Sequence, residues 1–258
     1  SEMVDAGVRK VKFVGGEPLL YKDLPLLVSR LRMKYPDIDV SLITAGSLPL
    51  HRLQRCFEMG LTRANMSIHG WQKEFFFRNS KSEQHWLNRQ KTLDYLLSQN
   101  RPLKLNYVYS SSTVESDLLL FLKAMSEYKV VINVLDDLKN TDITPAFLIQ
   151  RLSVLLGQPT VRRDVDSHSL NTLHLGWGGP MRVEIKDQHL GTLAPWKSCQ
   201  DCPVKKQCTE GIHAIRMYAD GRIGLCMDRD DLKESMNSQQ FRLSGPQFVR
   251  DHLVKELV

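Results

Sequence analysis

Val8-Arg9-Lys10-Val11-Lys12-Phe13-Val14-Gly15-Gly16-Glu17-Pro18 is the stretch on which the fold turns. Its first seven residues are rich in β-branched and aromatic side chains and read as a strand. Two glycines close that strand, where they bring backbone amides and carbonyls near a ligand. Glu17 adds a carboxylate at the C-terminal strand edge, the edge where α/β folds bind ligands. Pro18 then fixes the exit before a helix that starts near Lys22. Four residues of a plain strand-to-helix turn would look alike, so the surroundings decide.

Outward from this stretch the chain alternates. Asp39–Thr44, Arg63–Ile68, Leu103–Tyr109 and Lys129–Leu135 read as further strands. Tyr21–Lys34, Leu50–Met59, Glu83–Gln99 and Glu115–Glu127 carry helical spacing between them. This rhythm predicts repeated βαβ units and an α/β fold, a partial (open) β/α barrel of parallel strands with fewer repeats than a closed eightfold barrel. Ser1–Gly7 reads as the end of a helix with no strand before it, which leads us to expect further material upstream. After residue 157 the rhythm changes. Leu173–Gly179 and Met181–Ile185 are strand-like around the turn Gly178-Gly179-Pro180, a cysteine cluster follows, and Phe248–Val258 has helical spacing. The expected organisation is residues 1–157 as the partial barrel and 158–258 as a small cysteine-rich, metal-cluster region.

The 258 residues suffice for one large α/β domain with an appendage. The net charge of +6 is spread without a block of like charges, so a solvated basic face is expected and no nucleic-acid partner. No apolar run approaches a membrane span. Glu2 and Asp5 stand where a secretion signal would be basic, so a cytoplasmic location is expected.

Ala6–Leu20 resembles the second-strand region of radical S-adenosylmethionine enzymes, above all the branch of molybdenum-cofactor GTP 3′,8-cyclases. The resemblance implies that Gly15, Gly16, Glu17 and Pro18 form the turn that holds the methionine amino group. Leu42-Ile43-Thr44-Ala45-Gly46 is similar to the family's Thr-Asn-Gly segment, with Ala45 in place of Asn. Gly60–Ile68 is similar to the segment whose serine contacts the cofactor; Thr44 and Ser67 are thus candidate contacts, and His69, where the family often has Asp, is a candidate pocket residue. Lys104-Leu105-Asn106 resembles a Lys-x-Asn that puts the lysine near substrate and the asparagine near the cofactor. Alternation sets Lys104 and Asn106 on one strand face, and a lysine on an otherwise apolar strand needs a partner.

Cys199-x2-Cys202-x5-Cys208-x17-Cys226 is the strongest local signal. On spacing alone four thiolates suit zinc or iron–sulfur equally. Ile215–Ile223 reads as a hairpin with an Asp220-Gly221 turn before the last cysteine, and resembles the twitch- or SPASM-like auxiliary-cluster domain of the same superfamily. There the cysteines would hold an auxiliary 4Fe–4S cluster and Arg216 would lie beside it, facing substrate. His213 and Cys56 carry weaker signals. Trp71 and Phe75–Phe77 are expected to pack outside the sheet.

The resemblance implies reductive cleavage of S-adenosyl-L-methionine to a 5′-deoxyadenosyl radical. This abstracts hydrogen from a small molecule, nucleotide- or nucleoside-like, in cofactor or natural-product biosynthesis. It also implies an external electron donor such as flavodoxin or ferredoxin. A peptide-modifying enzyme and an inactive zinc-bearing binding protein are the alternatives. The Cys-x3-Cys-x2-Cys triplet that binds the family's catalytic 4Fe–4S cluster does not occur in these residues.

Overall fold

The computed structural model describes residues 2–5, 8–79, 82–99, 101–109, 115–136, 144–165, 171–186, 202–203, 214–218, 220, 222–224, 226 and 233–235. In chain order these give α1 (Glu2–Asp5), β1 (Lys10–Phe13), a 3-10 turn (Pro18–Leu20), α2 (Leu24–Lys34), β2 (Asp39–Thr44) and α3 (His51–Glu58). There follow β3 (Arg63–Ile68), α4 (Lys73–Asn79), α5 (Glu83–Ser98), β4 (Lys104–Tyr109), α6 (Glu115–Met125), β5 (Val131–Asp136) and α7 (Pro145–Leu156). The remaining strands are β6 (Thr160–Val165), β7 (Asn171–Gly176), β8 (Arg182–Lys186), β9 (Arg216–Met217), β10 (Arg222–Gly224) and β11 (Lys233–Ser235).

Eight strands form one sheet in the order β1-β2-β3-β4-β5-β8-β7-β6. Neighbours from β1 through β5, and β5 with β8, pair in parallel. The two ends of the order do not meet, so this is the open β/α barrel that the alternation predicts. Val183 and Ile185 on β8 continue the buried row of this sheet beside β5. Two compact units are distinguished. One comprises Arg9–Arg162 with Leu173–Ile185; the other comprises Ser1–Val8, Arg163–Thr172 and Lys186–Val258, with the antiparallel β9–β10–β11 hairpin.

The two faces of the large sheet differ in chemistry. Val40, Leu42, Met66, Ile68, Leu105, Ile132 and Val183 are buried on one face. On β4 that face continues with Tyr107, whose ring stacks on Phe121 of α6 at 5.2 Å. Burial of these rows against α2–α6 is the main hydrophobic gain of the unit. Trp71 (5.5 Å from Phe121) and Phe76 (5.3 Å from Trp86) pack in the same outer layer, as expected.

The α2 helix starts at Leu24, later than the sequence spacing implies. Pro18–Leu20 form their own turn, and Pro25 sits in the first turn of α2, where its missing N–H leaves no bond unmade. The sequence reading passes over α4, α7 and β6. For α7 the signal was available: Thr144 accepts from Phe147 N and Pro145 opens the first turn. Gly7 and Phe248–Val258 lie outside the described residues. No helix among the described residues is long and apolar enough to cross a membrane.

Candidate functional site

The Gly15–Pro18 turn is fastened by its carboxylate. Glu17 Oε2 accepts from Thr44 Oγ1 and from Ala45 N, each at 2.9 Å, and Oε1 accepts from Leu19 N at 3.2 Å. Thr44 also accepts from Gly46 N at 2.9 Å and is 1% exposed. Its hydroxyl is therefore engaged at both ends and acts on Glu17. From behind, α5 steadies the same loop: Thr92 Oγ1 donates to Gly46 O at 3.2 Å and Asn88 Nδ2 to Ser47 O at 3.0 Å. Gly46 has φ +70°, a conformation that favours glycine, and an added Cβ would lie 2.6 Å from Met66 Cε and 3.3 Å from Thr92 Cβ, so a side chain there would strain the backbone and displace Met66. At Gly15, with φ +118°, and at Gly16 a Cβ would meet nothing within 4 Å. Open space beside bare backbone is what an approaching ligand requires.

Away from the helices, the large sheet presents polar side chains. Register aligns Ser67, Asn106, Asn133 and Glu184 in one row across β3, β4, β5 and β8. With strands roughly 4.8 Å apart, the row is about 14 Å long. Asn133 Nδ2 donates to Asn106 Oδ1 at 3.3 Å. Lys104 reaches over β5 to Glu184 Oε2 at 2.5 Å, and Glu184 Oε1 faces His174 Nδ1 at 3.5 Å. Thus the lysine has the partner that its position demanded. Asn65, one step below Ser67, holds Oδ1 buried without a hydrogen-bond partner. Parallel sheets are usually apolar on both faces; a polar row with an unmet acceptor fits a polar ligand. Glu184, Asn133 and His174 escaped the sequence reading, although Asn133 between Ile132 and Val134, and Glu184 between Val183 and Ile185, carry the alternation that marks an opposite face.

At the N-terminal end of the strands the polar residues pair with one another. Arg63 Nη2 binds Asp39 Oδ2 at 2.9 Å and Thr62 Oγ1 donates to Asp39 Oδ1 at 2.5 Å. Burial raises the Asp39 pKa, but the bonds from Arg63 and Thr62 and the charges of Arg63 and Lys10 outweigh it, so the net shift is downward.

Behind the Ser67–His69 strand end lies a buried charged cluster. Asp117 of α6 accepts from Trp71 N and Gln72 N, both at 2.7 Å, and from Tyr107 Oη at 3.0 Å. Arg89 of α5 is 1% exposed, its Nη1 and Nη2 have no hydrogen-bond partner, and its guanidinium lies 5.1–5.9 Å from the rings of Trp86, Phe76 and Trp71. Burial lowers its pKa to about 10 against the pull of Asp117 and Tyr107, so it stays charged at neutral pH. Burial, then Asp117, pushes the Tyr107 hydroxyl well above its ordinary range. His69 is exposed at its edge, yet partial desolvation, then Arg89, lowers its pKa.

Of the four clustered cysteines, Cys202 and Cys226 are described, both half-buried; Cys199, Cys208 and His213 lie outside the described residues. Arg216 opens β9 of the hairpin, whose turn is closed by Asp220 accepting from Arg222 N at 3.0 Å and Arg222 Nε at 2.8 Å. Cys56 is buried in α3, where desolvation, against the charge of Arg55, pushes its thiol up to about 11; it is a packing residue.

The profile of the Radical SAM superfamily matches residues 1–125. The chain is 30% identical over 143 residues to the GTP 3′,8-cyclase of Nautilia profundicola, covering 55% of this chain and 44% of that protein. It is 25% identical over 248 residues to GTP 3′,8-cyclase 2 of Pseudomonas aeruginosa, covering 91% of this chain and 70% of that protein. The alignment thus spans less than half of the first of these relatives. Among solved structures, Streptococcus suis SuiB bound to S-adenosylmethionine superposes with a TM-score of 0.61 at 14% identity, covering 94% of this chain and 58% of that one.

Proposed function

We propose that the protein is a radical SAM enzyme, a reading supported by the match of residues 1–125 to the Radical SAM superfamily profile, and that it binds S-adenosyl-L-methionine along the open polar edge of its sheet. The observation that carries this reading is the fastened Glu17 carboxylate beside unobstructed Gly15 and Gly16, at the head of the Ser67–Asn106–Asn133–Glu184 row. Three hydrogen bonds fix Glu17 while a carboxylate has about four acceptor positions, so one remains for the ammonium of methionine. Thr44 contributes by positioning Glu17, and Pro18 by fixing the turn. Ser67 and Asn106 offer hydroxyl and amide contacts to the nucleoside half. When bound, S-adenosylmethionine supplies, on one-electron reduction, the radical that takes hydrogen from substrate. The cysteines of this sequence do not form the Cys-x3-Cys-x2-Cys triplet that would hold the catalytic cluster.

The substrate is a small polar molecule or a peptide. Lys104 and His69 are its candidate contacts on the sheet, and Arg216 is a separate candidate on the other unit. Because Glu184 answers the charge of Lys104, that part of the face favours groups that exchange hydrogen bonds with a carboxylate–ammonium pair. Cys199, Cys202, Cys208 and Cys226 hold the auxiliary cluster, and a flavodoxin or ferredoxin supplies electrons.

Isothermal titration with S-adenosylmethionine tests the binding reading. We expect saturable binding that Glu17→Ala and Asn106→Ala each weaken by roughly tenfold or more, about 1.4 kcal/mol. No saturation, or wild-type affinity in both variants, overturns it. Iron, sulfide and zinc analysis of the protein tests the cysteines: zinc without sulfide rejects the auxiliary cluster.

A further inference from the structure

A second concavity lies outside the polar edge, between the 3-10 turn with the start of α2 and helix α3. It has a volume of about 260 Å³. Lys22, His51, Arg52 and Arg55 contribute four nitrogen-bearing side chains to its wall, and the residues lining it include no carboxylate. None of the four forms an ion pair among the described residues. Surface cations of a mixed-charge protein usually have acidic neighbours; a concave cluster without them concentrates positive potential.

The floor has the opposite character. Leu19, Leu24 and Cys56 are 4%, 2% and 1% exposed, and the Cys56 thiol stays protonated at neutral pH. Tyr21 stands at the rim, 59% exposed. An apolar floor beneath convergent cationic groups selects a ligand with an anionic head and an apolar or aromatic body. The cavity form favours a small molecule over a flat protein partner. One cation is already fixed: Arg52 Nη1 donates to Leu19 O at 2.9 Å, which holds its planar guanidinium in place against the pocket wall. Lys22 and Arg55 are exposed, and their side chains form no hydrogen bond among the described residues.

We propose that this cleft is a binding site for a phosphorylated small molecule with an aromatic body, held by Lys22, Arg52 and Arg55 around the phosphate and by Tyr21 and the apolar floor around the body. The site is separate from the S-adenosylmethionine reading and does not depend on it. Its wall is nonetheless bonded to the Gly15–Pro18 turn, because Leu19 N donates to Glu17 Oε1 while Leu19 O accepts from Arg52.

Phenyl phosphate and inorganic phosphate, each titrated calorimetrically into the protein, provide the test. The site requires saturable binding of phenyl phosphate, at least roughly tenfold tighter than inorganic phosphate, because the ring fills the floor. The double variant Lys22→Gln/Arg55→Gln should weaken phenyl phosphate by roughly tenfold or more while its thermal midpoint stays at the wild-type value. Lys22→Glu alone should weaken it more than Lys22→Gln. Saturating S-adenosylmethionine should leave the affinity unchanged. The proposal is overturned by absence of saturation up to about 10 mM, by equal affinity in the double variant, or by competition with S-adenosylmethionine. It is equally overturned if the double variant loses affinity only for an acidic protein, which would make the patch a docking face.

Discussion

Replacing Asp117 with Asn changes one oxygen for an amide nitrogen and almost no volume, so the loss reports on the cluster's charge and hydrogen bonds and not on packing. With its oxygen kept in the Oδ2 position, the amide still accepts from Trp71 N and Tyr107 Oη. Both bonds fall from charged to neutral acceptors, a loss of about 1 kcal/mol each. The NH2 group then faces Gln72 N across a gap of 2.7 Å, donor against donor. A buried N–H left without an acceptor costs about 1–3 kcal/mol. Arg89, 1% exposed, loses the carboxylate that offsets its desolvation, which is the larger danger when a buried charge is stranded. The three hydrogen bonds alone come to about 3–5 kcal/mol and the stranded Arg89 adds to them, so the expected loss is at least about 4 kcal/mol, or roughly 8–16 °C or more in the thermal midpoint for a chain of this size. Urea unfolding followed by tryptophan fluorescence is the assay, since Trp71 and Trp86 flank Arg89. Tyr107→Phe, which keeps the stack on Phe121, should lose only about 1–2 kcal/mol. Adding Arg89→Met to Asp117→Asn should regain at least about 1 kcal/mol. A loss below about 1 kcal/mol in Asp117→Asn, or one matched by Tyr107→Phe, would refute the reasoning.

Other perturbations follow from single contacts. Gly46→Ala should destabilise by about 1–3 kcal/mol, because φ is +70° and Met66 Cε is in the way. Gly15→Ala has no neighbour within 4 Å but is strained at φ +118°, so it isolates backbone strain and should also lose about 1–3 kcal/mol; a loss below about 0.5 kcal/mol in denaturant would reject the strain account. The Asp39 pKa lies below its unfolded value, so its stabilisation is complete above the unfolded carboxylate pKa and is lost as pH falls through the folded one. The stability gap between wild type and Asp39→Asn should therefore be constant above about pH 5 and shrink below pH 4; a gap that closes near neutral pH contradicts the assignment. Glu184→Gln frees Lys104 from its ion pair and should raise pyrophosphate affinity by roughly fivefold in equilibrium dialysis. An unchanged affinity means that Glu184 does not hold the lysine in solution.

The repeat was legible because each parallel strand is a short β-branched run closed by a turn. The expected Asp39–Thr44 and Arg63–Ile68 coincide with β2 and β3. The fastening of Glu17 was not legible, since it depends on Thr44 and Ala45 twenty-seven and twenty-eight residues away. Lys104 was read as needing a partner, but nothing local points to Glu184, eighty residues on. Arg89 looked like any helical arginine; only packing by Trp71, Phe76 and Trp86 buries it. Sequence spacing locates groups along an element, while long-range pairing decides which of them meet.

The strand order has a consequence in time. Strands β1 to β5 can pair in the order in which they leave the ribosome, but β8, the neighbour of β5, begins about 45 residues after β5 ends. At roughly 5–20 residues per second, the free edge of β5 waits about 2–9 s for it. During that interval β6 and β7 are already made and compete for the edge. The Lys104–Glu184 bridge, which spans β5, closes only when β8 has won. Its closure therefore marks the pairing of β8 with β5.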